Sequence, residues 1–119
     1  MIEKVNIHEK GRCLNLDTGL CKIDIIGGWG VTLNNFFISL KKLSNGEKIP
    51  VKRIPIGIQS WDFGSRSKRI FKADIVQPGE YEIEFHNQED IIVKKSNLIL
   101  ISFFEKPLPN HSLEIGITN

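Results

Sequence analysis

The stretch Gln77-Pro78-Gly79-Glu80-Tyr81-Glu82-Ile83-Glu84-Phe85-His86-Asn87 constrains the fold more than any other part of the chain. A Pro-Gly turn opens it, and apolar residues at 81, 83 and 85 then alternate with charged or polar ones. Side chains on a β-strand point to opposite faces with period two, so this pattern predicts a half-buried strand of an antiparallel sheet. Tyr81, Ile83 and Phe85 are expected inward, and Glu80, Glu82, Glu84 and His86 in water.

The same period recurs along the chain. Val5 and Ile7, Leu14 and Leu16, and Cys21, Ile23 and Ile25 form inward sets, the last with Lys22 and Asp24 outward. Phe36, Ile38 and Leu40 follow, leaving Phe37 on the opposite parity. Ser44-Asn45-Gly46-Glu47 reads as a type I′ hairpin turn, because Asn-Gly accepts positive φ. Ile49 and Val51, then Ile54, Ile56 and Ile58, return from it. Pro50 and Pro55 cannot donate to a ladder, which predicts a sheet edge there. Phe71, Ala73 and Ile75 face inward, Ile91 to Val93 make a short strand, and Leu113, Ile115 and Ile117 close the chain. Leu98 to Phe104 is nearly uniformly apolar and is expected as a strand buried on both faces, in the sheet centre or beneath a partner.

No window of helical length carries the i, i+3, i+4, i+7 spacing, and the count is about nine strands. That number, in a 119-residue chain without linker or repeat, predicts one domain over residues 1–119: an antiparallel β-sandwich of the jelly-roll, immunoglobulin-like or related type. A small β-barrel is the alternative.

Composition bounds the function. Sixteen basic against fourteen acidic side chains leave +2, too little to advertise a polyanion partner. The N-terminal residues lack an apolar core of signal-peptide length, which predicts a cytoplasmic protein or one whose export signal was removed. No segment reaches the ~18 apolar residues of a membrane span. Cys13 and Cys21, seven residues apart, could bridge a hairpin, but two buried free thiols are the expectation without a secretory context.

Catalytic spacing is absent. Gly27-Gly28-Trp29-Gly30 lacks the Lys and Ser/Thr of a phosphate loop and reads as a bulge or loop. His8, His86 and His111 are scattered, and Asp17, Asp24, Asp62, Asp74 and Asp90 fall one per segment. Zinc and calcium sites want clustered ligands, so no metal, no cofactor and no enzyme activity are expected. Trp29 and Trp61 lie beside loops, where tryptophans either cap a sandwich core or stack a sugar ring, with Asp62, Arg66 and Arg69 to reach hydroxyls. The basic stretch 66–72 could hold phosphates, with Trp61 and Phe71 for a base, but near-neutral charge makes nucleic acid an unfavoured partner. The preferred expectation is a non-catalytic interaction module binding a protein or a second copy of itself. Phe37, Phe103 and Phe104 are the candidate interface residues, and a glycan is the alternative partner.

Trp61-Asp62-Phe63, Phe71 and Ala73, then Gly79-x-Tyr81-x3-Phe85-x-Asn87, Lys94-Lys95 and an apolar strand through Phe104 together form a pattern. Over residues 61–104 it resembles the C-terminal part of a GOLD domain, a β-sandwich of cargo receptors and some lipid-transfer proteins. The resemblance implies a protein- or lipid-headgroup-recognising module without catalysis. Paired cysteines, a membrane anchor and a helical stalk, which accompany such domains, are not visible.

Overall fold

Alternating apolar residues bury one side of each strand, and the computed structural model, which describes residues 2–61 and 63–119, shows what they bury against. Eleven strands are formed among those residues: β1 Ile2–Asn6, β2 Arg12–Leu16, β3 Gly19–Ile26, β4 Gly30–Thr32, β5 Phe37–Lys42, β6 Lys48–Ile49, β7 Lys52–Ser60, β8 Ser67–Ile75, β9 Gly79–His86, β10 Ile92–Lys94 and β11 Glu114–Thr118. A short helix of six residues, α1 Ile99–Phe104, is the one α-helical element among the described residues. All pairings are antiparallel. One sheet runs β1-β11-β3-β8-β7, a second β2-β9-β5-β6, and β10-β4 form a two-stranded ladder. This is the expected all-β sandwich, with no closed barrel.

The interior is one cluster fed by both sheets. Ile23, Ile25, Phe71, Ile75, Ile115 and Ile117 from the five-stranded sheet meet Leu14, Ile38, Leu40, Tyr81, Ile83 and Phe85 from the four-stranded one. Each such side chain contributes about 1.5–3 kcal/mol through burial. Phe36 joins the layers: its ring centroid lies 6.2 Å from Phe71 and 6.5 Å from Phe85. The parity expected for β9 holds, with Tyr81, Ile83 and Phe85 buried while Glu80 is exposed and Glu82, Glu84 and His86 are half-buried. The proline-bearing segment lies at sheet edges, β6 closing one sheet and β7 the other. A register shift between Arg53 and Ile58 accommodates Pro55. Ile54 is half-buried and Ile58 exposed, while the side chain of Ile56 lies outside the described set.

Four expectations are corrected. Asp24 is buried, because a register shift between Ile23 and Asp24 breaks the alternation and Arg69 supplies a counter-charge. The Asn45-Gly46 turn is not type I′: only Gly46 takes positive φ (72°), and the loop closes through Lys42 N donating to Glu47 O. Cys21 is buried but Cys13 is exposed, and both are free thiols. Leu98–Phe104 is neither a strand nor buried; its backbone turns into α1 and its described apolar side chains face solvent.

Burial pushes the Cys21 thiol from 9.0 up to about 11. A raised folded value means the unfolded chain releases its proton first, so this contribution is fully present below pH 9 and is lost as pH rises towards 11. Burial, and secondarily the charge of Glu47, also raises the Tyr81 phenol, adding alkaline sensitivity of the same sign. We therefore expect stability to fall by about 2–3 kcal/mol across that window on account of Cys21 alone. Urea midpoints against pH should show a shallower alkaline decline for Cys21→Ala than for the parent chain; equal slopes would contradict this.

Candidate functional site

Three connections meet at one end of the sandwich. The pairs Ile26↔Ser67 and Ser60↔Ser67 place the end of β3, the start of β8 and the end of β7 together, and Gly30↔Lys94 brings β4 and β10 to the same place. The Gly27-Gly28-Trp29-Gly30 segment is explained there. A Cβ at Gly28 would collide with the carbonyl of Lys94, and one at Gly30 with the carbonyl of Ser96. The glycines let two backbones press together.

Hydrogen bonds knit the three loops. Trp29 N donates to Lys95 O (3.2 Å), Gly27 N to Arg66 O (2.6 Å), and Arg66 Nη1 to Lys95 O (2.6 Å). Arg66 lies 4.6 Å over the Trp29 ring, and Trp61 meets Trp29 edge-on with centroids 6.0 Å apart. Trp29 Nε1 donates to Ser60 O (3.4 Å) and Lys68 Nζ to Trp29 O (3.1 Å). Three of the expected ligand residues, Trp29, Trp61 and Arg66, are therefore brought together; Asp62 lies outside the described residues. Since Arg66 covers one face of Trp29, the pair first serves to fasten loops, and Trp61, 61% exposed, is the open ring.

Arg69 belongs elsewhere. Its Nε donates to Asp24 Oδ1 at 3.1 Å, and both side chains are largely withdrawn from water. The stretch 66–72 is likewise no loop: Ser67–Ile75 is a strand between β3 and β7, with Phe71 in the core and unable to stack a base.

The 95–107 connection is pinched at its base, where Leu108 N donates to Val93 O (2.8 Å). Glu105 Oε1 accepts from Ser96 N (3.2 Å), and Ser96 Oγ from Leu98 N (3.1 Å). Above this neck stand Leu98, Leu100, Ile101, Phe103 and Phe104, all exposed, the two phenylalanines by 78% and 83%. Lys94 and Lys95 precede the turn and Lys106 follows it.

Beside it runs a shallow basic trough. One cleft of about 460 Å³ includes Asn34, Arg53, Pro55 and Lys68, and a second of about 410 Å³ includes Trp29, Lys68, Ile92, Lys94 and Asn97. They share Val31, Thr32 and Lys68, and no described carboxylate lines either.

Phe37, the third interface candidate, stacks on His86 at 4.3 Å rather than on either ring of α1. Sequence reasoning missed that Ser39 Oγ would lie 2.9 Å from His86 Nε2, because the two meet only through β5–β9 register. Glu84 approaches the same nitrogen, at 3.9 Å, so it does not occupy the orienting position of a Ser-His-acid triad on Nδ1. It also did not foresee that Lys68 and Lys94 would line one cleft, because they lie far apart in the sequence. Among the described residues, no three His, Cys, Asp or Glu side chains form a group that could hold a metal ion, and no helix is long and apolar enough to cross a membrane.

Comparison with protein-family models, with curated proteins and with solved structures finds no match. The GOLD-like pattern thus rests on its residues alone; Phe71, Ala73, Tyr81 and Phe85 are buried, while its final apolar strand is the helical turn α1.

Separating Arg66 from Arg69 gives a direct check. Arg69→Ala removes the guanidinium from a buried carboxylate and should destabilise by roughly 3 kcal/mol. Arg66→Ala, which gives up a cation–π contact and a hydrogen bond near the surface, should cost about 1 kcal/mol. Urea unfolding of the two variants tests this; a reversed order would contradict it.

Proposed function

We propose that this protein is a non-catalytic interaction module whose contact surface is the loop end carrying Leu98, Leu100, Ile101, Phe103, Phe104 and Trp61. The observation that carries the reading is the concentration of exposed large apolar side chains on the 98–104 turn. Folded chains rarely leave contiguous apolar surface in water without a binding role, because each such side chain forgoes about 1.5–3 kcal/mol of burial. The neck at Val93 and Leu108 and the loop-to-loop hydrogen bonds hold this surface out from a rigid base. Phe37 is a separate exposed ring and is not assigned to the contact.

A photoreactive phenylalanine analogue at position 103, in the cells that make the chain, should form adducts with a partner molecule. The same analogue at Asn45, on a hairpin turn, should form few. Equal labelling from both positions, or none from position 103, would refute the assignment.

A further inference from the structure

Resting on that reading, we infer that the partner of the loop end is an anionic lipid surface, into which the 98–104 turn inserts as an apolar tip while surrounding cations engage headgroup phosphates and carboxylates. Shape is the first argument. At about 100° per residue, Leu100, Ile101, Phe103 and Phe104 spread over an arc of roughly 160°, with Leu98 beyond it. That exceeds the ~100° at which the core-facing stripe of a surface helix begins. A convex tip apolar over so wide an arc is best covered by a medium that closes around it. Six residues of helix are about 9 Å long, comparable with the ~5–10 Å to which interfacial elements enter the headgroup and acyl boundary.

Charge is the second argument. Lys94 and Lys95 precede the turn across Ser96-Asn97 and Lys106 follows it after Glu105, with Arg66 and Lys68 on the adjoining loop and strand. Against them stand Glu105, engaged with Ser96 N, Glu114, which lies opposite Ile26, and Asp24, which is paired with Arg69. Long basic side chains can lay their stems along apolar surface and keep their charge at headgroup level. Trp61, exposed at the same end, is the side chain that favours the membrane–water boundary. A second copy is the poorer occupant: an isologous contact would set Lys94, Lys95 and Lys106 against their own counterparts.

The test is co-sedimentation of the full chain with vesicles of phosphatidylcholine alone or with about one-third phosphatidylserine, with tryptophan emission read in parallel. Binding is expected to the anionic vesicles, with a blue shift in emission and weakening at high salt. Phe103→Ser/Phe104→Ser should reduce affinity by about a hundredfold. Lys95→Gln/Lys106→Gln should reduce it by about thirtyfold, at ~1 kcal/mol per cation. No sedimentation with anionic vesicles, equal binding to neutral ones, or binding that both variants leave unchanged overturns the lipid assignment. If vesicles fail while the photoreactive residue at 103 still labels a protein or a second copy, the contact surface stands and its lipid partner falls. If neither occurs, both fall.

Discussion

The rest of the structure depends on the closure of apolar surface between the two sheets. Phe36, set between Phe71 of one layer and Phe85 of the other, fixes how they face, and Tyr81, Ile83, Ile23 and Ile115 fill the space around it. Losing a ring such as Phe36 would cost on the order of 3–5 kcal/mol, a large part of a small domain's stability. This interior is completed without any described side chain of Leu98–Phe104. That surplus is what turns an apolar segment from a piece of core into a candidate contact surface.

Backbone chemistry then decides where the surplus is displayed. Gly28 and Gly30 allow the β3–β4 connection to press on residues 94–96, and Arg66 ties both to the β7–β8 connection through Lys95 O. Trp29 contributes to the same fastening, while the Trp61 ring stays exposed. The chemistry collected at this end is apolar and cationic, and the contact of Ser39 with His86 lies apart on the four-stranded sheet. Such an end can hold a partner's surface.

Much of this was legible in the alternation. Period two located the inward sets at Val5, Leu14, Ile38, Tyr81 and Ile115 because a strand has only two faces, and Pro50 and Pro55 marked the edges because they cannot donate. Asp24 escaped because a bulge shifts register by a residue without any signal in composition. The Arg69 partnership was equally hidden, since it joins positions 45 apart in the chain. Leu98–Phe104 was misread because a uniform apolar run has no period, and hydrophobicity alone reports that water is disfavoured without saying what replaces it. The gathering of Trp29, Trp61 and Arg66 was anticipated, but their primary engagement with one another and with Lys95 required the loops in space.

With its described side chains in water, the apolar turn is expected to contribute little to folding. The most direct measurement is the unfolding free energy of Phe103→Ser/Phe104→Ser in the absence of any partner. Both side chains already face water, so a change within about 0.5 kcal/mol per site and an unaltered denaturant slope are expected. A loss of several kcal/mol, as deletion of buried rings produces, would show that the turn packs into the fold and would contradict the account.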